Sequence, residues 1–337
     1  MKRTIHDPRS TNHARRTLCV LTLALGLVAA PAAAQEWKPS KTVEIIVASG
    51  AGGAADREAR IMQGFLRNVP GMPVVNVINR PGGGGTMAWS FVTQREGDGH
   101  TLSTLSVASI TNKLLGNSQL SYRDLTPLAI LLHEYIAVWT RSASSIESGK
   151  DLVERLRKDP SSVTFGLSSA LGNQNHIVIG KIAQAAGVDP RSAKIVVYSS
   201  GGKGIPAALG GHVEVWAGTL GGAVGLARKG GPIRMLGVSS AQRAPGPAAG
   251  FPTFREQGID VVHSAFRGLQ GPPGLSDAQR AFWDRTFSTI VNSEEWRKTE
   301  EKYAWGSGYL DSAATKKYLD EEDRRLEKIL TELGVIK

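Results

Sequence analysis

Apolar and polar positions along this chain follow two alternating rhythms. Short apolar runs at 41–49 (KTVEIIVAS), 73–79 (PVVNVIN) and 100–106 (HTLSTLS) read as strands. Between them, a glycine-rich stretch leads into a predicted helix over 56–68, and RPGGGG (80–85) leads into another that runs through Gln94. The pattern then restarts. Residues 163–169, 194–200, 212–218 and 233–240 read as strands, with helices predicted over 175–186 and 204–209. Strands alternating with helices of this length predict an α/β fold built on a parallel sheet covered on both faces.

Two apolar stretches, 128–140 and 261–273, stand where the chain passes from one group of elements to the other and back. They divide it into a first lobe (35–139 plus 262–337) and a second (140–261). The tail from Ser276 to Leu333 reads as amphipathic helix, with Ser276 as N-cap and Gly334 as C-cap.

The first 34 residues stand apart. Lys2, Arg3, Arg9, Arg15 and Arg16 form a basic start, an apolar run covers 17–30, and Ala32, Ala33 and Ala34 offer a cleavage site. That order is a secretory signal, and the apolar run is shorter than the roughly 20 residues of a membrane span. The expectation is export to the periplasm with cleavage after Ala34. The Arg15-Arg16 pair leaves Sec and twin-arginine export both open. The single cysteine, Cys19, falls inside this leader, so disulfides, thiolate catalysis and cysteine-held metals are excluded from the mature chain. The leader holds five basic residues and one acid, so the net charge of +10 falls to +6 without it. The remaining charges are interspersed, as in EEDRRLEK (321–328), which is a solvated surface and not a nucleic-acid footprint.

Glycine and small hydroxyl residues collect at the predicted strand ends, the edge where open α/β sheets bind ligands. The first group is Ser49, Gly50, Ala51, Gly52, Gly53, Ala54 and Ala55, and the second is RPGGGG at 80–85. In the second lobe the groups are Ser168, Ser169, Ala170, Gly172 and Asn173, and Ser199, Ser200 and Gly201. Such loops bring backbone N–H groups at helix starts close to a ligand and suit a carboxylate. Asp56, at the first helix start, reads as a cap or as an organiser of main chain in the cleft. Asn79, Ser106, His176 and Trp216 are candidates for a supporting layer, with core packing the simpler role for Trp216.

Enzymatic readings find little support. Gly50, Gly52 and Ala55 fit a variant dinucleotide fingerprint, but Asn79 and Arg80 stand where that site needs a carboxylate. Lys203 is not followed by Ser or Thr, G-x-S-x-G and H-E-x-x-H are absent, and the histidines are scattered. The expectation is a binding protein that uses no cofactor, no metal and no nucleic acid.

Several segments together carry a family signature. VEIIVASGAGGAAD (43–56), NRPGGGG (79–85), GDGHTL (97–102), SSALGNQNH (168–176), YSSGGKGIPAALGGHVEV (198–215), PTFREQG (252–258) and HSAFRGLQGPPGLS (263–276) occur in this order. The chain resembles the substrate-binding proteins of tripartite tricarboxylate transporters, the Bug/TctC family, from about Trp37 to the C-terminus.

The resemblance implies a two-lobed type II periplasmic binding fold, a Venus flytrap with its cleft between the lobes. It implies capture of a small tricarboxylate, dicarboxylate or aromatic acid, delivered by a monomer to two integral membrane subunits. By motif, residues 49–55 take the ligand carboxylate, residues 168–173 and 198–202 oppose them, and Arg267 supplies a cation on the cleft side. The chain departs from the family where Ala51 replaces a common proline and where Ala217, Gly218 and Thr219 replace a common acid, which disfavours amino-acid ligands. A ligand-presenting sensor is the alternative role, with a periplasmic enzyme a more distant third.

Overall fold

The computed structural model describes residues 36–337, so the expected leader, Cys19 and the cleavage point lie outside the described residues. Strand β1 (Val43–Val47) leads through α1 (Ala54–Arg67), β2 (Val75–Asn79), α2 (Thr86–Thr93) and β3 (Thr101–Ser106) to α3 (Ala108–Leu114). The long β4 (Thr126–Arg141) follows, then α4 (Gly149–Lys158), β5 (Thr164–Ser168), α5 (Gln174–Ala185), β6 (Lys194–Tyr198) and α6 (Gly201–Leu209). Next come β7 (Val215–Thr219), α7 (Leu220–Arg228) and β8 (Ile233–Val238). The chain returns along β9 (Ser264–Gly271) and closes with α8 (Asp277–Val291), α9 (Glu294–Tyr303), β10 (Gly306–Leu310) and α10 (Ser312–Glu332).

The strands form a ten-stranded sheet in the order β2-β1-β3-β9-β4-β7-β5-β6, with β8 and β10 also paired to β4. This corrects the all-parallel expectation. Pairing is parallel where strand–helix units repeat, at β1–β2, β1–β3, β5–β6 and β5–β7. It is antiparallel in the middle, because β4 and β9 carry the chain out and back. Thr126–Tyr135 of β4 pairs with β9, whereas Ile136–Trp139 pairs with β7. One strand is therefore shared by both halves of the sheet.

The buried side chains form separate clusters around this shared strand. On one side Val43, Ile45 and Leu66 pack with Trp283 and Phe287, and Ile130 and Phe266 pack with Leu326 of α10. On the other, Phe165, Ile182, Leu236 and Phe254 make a core of their own. Helix α1 shows how the pattern works locally: Ala59, Met62 and Leu66 fall at helical spacing and are the apolar positions that it buries. Ser276 caps α8 in a capping box with Gln279, and Gly334, at φ 64°, ends α10. The tail is not continuous helix, however. Strand β10 interrupts it because Gly306 and Leu310 pair with His133 and Ile130 of β4.

Candidate functional site

Strands β1, β5, β6 and β7 point their carboxyl ends at one cavity, and helices α1, α5, α6 and α7 start around it. Four helix N-termini thus aim partial positive charge at a shared space, which favours an anion there. The cavity measures about 80 Å³. That is room for roughly five to eight waters at about 10–15 Å³ each, a size that suits a small solute.

Most of the expected residues meet here. Ser49, Gly52, Gly53, Ala54 and Ala55 line one wall. Ser168, Ser169 and Asn173, with Ser200 and Gly201, line another, and Ser106, Trp216 and Arg267 complete the enclosure. Gly50, Ala51, Ala170, Gly172 and Ser199 are not part of the lining, nor are Asp56, Asn79 and His176. The 80–85 loop is also absent from it, and Arg80 instead lies 3.6 Å over the Phe91 ring.

The residues just outside the lining hold the loops in shape. Asp56 is not the helix cap expected of it, since Gly53 takes that position. Its carboxylate accepts from the Gly52 N–H at 3.0 Å and from Arg60 Nε at 3.1 Å. Burial by itself would raise the Asp56 pKa. The bonds from Arg60, Gly52 and Asn79 outweigh it and hold the carboxyl below its usual range. Asn79 Nδ2 donates to Ser49 O at 3.1 Å, and His176 Nδ1 accepts from the Gly172 N–H at 2.8 Å. Ser169 stands at φ 78°, a conformation that costs a non-glycine residue about 1–3 kcal/mol and that collects at binding sites.

The two sides of the cleft meet at main chain. A side chain added at Gly50 would lie 3.3 Å from Ser200 Cβ, and one at Gly202 would lie 3.3 Å from Ala51 O. Behind this contact, Trp216 is packed into space left by glycines. A Cβ on Gly166 would meet its ring at 2.8 Å, and Cβ atoms on Gly204 and Gly218 would also collide with it. The Trp216 ring centroid lies 6.4 Å from that of Trp139 and 5.8 Å from that of Tyr198, so Trp216 is a packed core residue that also reaches the cavity.

Two hydroxyls on opposite walls have nothing to bond to. Ser49 Oγ is buried without a partner, and so is Ser200 Oγ. Ser200 is the N-cap residue of α6, yet its hydroxyl makes no capping bond. Asn173 differs, because its side chain is used within the protein. It accepts from the Asn175 and His176 N–H groups and donates to Ser168 O at 2.7 Å.

Arg267 reaches the cavity from beneath, but its charge is matched. Nη2 lies 2.8 Å from Glu134 Oε2, and Nε lies 3.7 Å from Glu58 Oε2. With burial and the Glu134 charge against it, and Arg267 and Arg57 opposing them only in part, the Glu58 carboxyl is pushed up to about 7. The sequence reading missed Arg57, Trp139, Gln174, Asn175, Thr219, Gly222 and Leu226, all of which line the cavity. For Thr219 the signal was present: TLGG repeats the strand-end hydroxyl and glycine pattern of the other loops.

The family model described as tripartite tricarboxylate transporter family receptor (TctC) matches residues 59–335. The chain belongs to this family. A UPF0065 protein of Bordetella bronchiseptica is 31% identical to this TctC-family chain over 260 residues, covering 76% of it and 72% of the relative. The solved periplasmic binding protein BugD superposes with a TM-score of 0.79 at 18% identity, covering 89% of this chain and 100% of BugD. A Rhodopseudomonas palustris protein solved with adipate reaches 0.81 at 23%, covering 88% and 98%. The TctC-family chain therefore has the two-lobed type II periplasmic binding fold, and it is a solute-binding protein and not an enzyme. Among the described residues no cluster of His, Cys, Asp or Glu could hold a metal ion, and no helix is long and apolar enough to cross a membrane.

Proposed function

We propose that this receptor captures a small carboxylate in the cavity and passes it to two integral membrane subunits of a tripartite transporter. The observation that carries this reading is the facing pair of unpartnered hydroxyls, Ser49 and Ser200, where four helix N-termini converge. A carboxylate accepts from both hydroxyls and from the N–H groups around them, so it meets the need of every group there. The relative solved with adipate supports the same ligand class. The lobes divide at about 139 and 262, β4 and β9 are the hinge, and the exported chain begins after Ala34.

Calorimetry against a panel of carboxylic acids tests this, read together with Ser49→Ala and Ser200→Ala. A ligand at about a hundredfold excess over its Kd stabilises the folded chain by about 2.7 kcal/mol, so a thermal shift finds it first. Each substitution removes a hydrogen bond to a charged group and weakens binding about tenfold to a hundredfold. Wild-type affinity in both variants, or no shift with any acid, rules this placement of the site out.

A further inference from the structure

The cavity lining contains two arginines, Arg57 and Arg267, and no Asp or Glu. Their situations differ. Arg267 is engaged by Glu134 and Glu58, so its charge is answered inside the protein. Arg57 feels the neighbouring Glu58 charge but has no carboxylate within ion-pair distance. Its neighbours Asp56 and Glu58 pair with Arg60 and Arg267 instead, and no acid pairs with Arg57 among the described residues. Arg57 Nη2 donates to Thr219 Oγ1 at 3.4 Å, its guanidinium lies 5.4 Å from the Tyr303 ring centroid, and its buried Nε has no partner.

Position separates Arg57 from the serine pair. A second depression adjoins the cavity, and the two share Arg57, Gly222 and Leu226. That depression adds Arg228, Lys229 and Lys302, while Ser49 and Ser200 take no part in it. Arg57 therefore lies where the cavity adjoins a basic surface, and the serines lie away from that junction. Thr219 Oγ1 accepts from Arg57 and from the Gly222 N–H at 3.3 Å, which leaves its O–H free to donate. A guanidinium with no ion-pair partner and an unbonded Nε, beside a free hydroxyl donor, suits a second anionic group.

We propose that Arg57 and Thr219 bind a second carboxylate, so that the ligand is a small dicarboxylate held at both ends. This deepens the carboxylate reading above and rests on it. The first carboxylate sits at Ser49 and Ser200, and the carbon chain between the two ends sets the length that the cavity accepts. Arg57 is then the residue that separates diacids from monoacids.

The test is calorimetry at about 0.15 M salt, so that long-range attraction is screened. Succinate, glutarate and adipate are compared with butyrate, pentanoate and hexanoate on wild type, Arg57→Met and Arg57→Lys. Wild type prefers the best diacid over its matched monoacid by about tenfold to a hundredfold. Arg57→Met loses that preference, keeps its monoacid affinity and melts like wild type without ligand, and Arg57→Lys retains part of the preference. Equal binding of diacids and monoacids to wild type overturns the Arg57 assignment alone, as does a preference that survives in Arg57→Met. If none of the six acids binds wild type, the diacid assignment falls, and the carboxylate reading falls with it only when the wider panel of acids fails too.

Discussion

Buried groups without partners behave differently under mutation from groups that hold the fold together. Ser49 and Ser200 bond to nothing in the protein, so removing their hydroxyls leaves the melting temperature of the unliganded chain unchanged or slightly raised. Glu58 behaves in the opposite way, because its proton is tied to folding. In the folded chain it keeps that proton up to about pH 7, whereas the unfolded chain releases it near 4.5. Between those values only the unfolded chain loses the proton. The stability that Glu58 contributes is therefore complete below about pH 4.5, declines as pH rises, and is gone above about 7. Glu58→Gln removes this decline and leaves Arg267 with Glu134 as a balanced pair. Thermal melts of both proteins between pH 4.5 and 8 check it, and parallel curves would show that Glu58 does not titrate in that range.

At the scale of elements, helix starts do two jobs that a single substitution separates. Ala54 is the first residue of α1 and lines the cavity. An aspartate there complements the helix dipole, so Ala54→Asp melts at or above the wild-type temperature. The same charge repels an anionic ligand, and affinity measured by calorimetry drops more than about a hundredfold. Retained affinity would mean that the helix starts do not attract the ligand. The strand-end loops were legible in the sequence because glycine and serine recur there for a local reason, namely geometry close to the backbone. Helix α4 was legible too, though it went unread: Ser148 caps it, and Leu152, Val153 and Leu156 are buried at helical spacing. Other features depend on distant partners. Strand β10 exists through its pairing with β4, and the answered charge of Arg267 depends on Glu134, a residue 133 positions away in sequence. No local pattern announces either one. Arg57 was missed because it stands one residue past Asp56, inside a helix, where a basic side chain reads as surface.

At the scale of the molecule, the sheet is continuous through β4, which pairs into both halves, and the chain returns along β9 beside it. Motion about that pair is the expected response to ligand. Small-angle scattering should show the radius of gyration falling when the best acid is added, and an unchanged value would mean capture without hinge closure. Elsewhere Ile177 of α5 packs with Leu326 and Leu330 of α10, but across the cleft Gly50, Gly52 and Gly202 bring bare backbone together. Such a contact buries little apolar surface, so it supplies little adhesion of its own. At the cleft the receptor is then a door without a latch, bolted by its cargo. Whatever receives the solute need not prise the lobes apart; drawing one end of the cargo away is enough for the door to swing open.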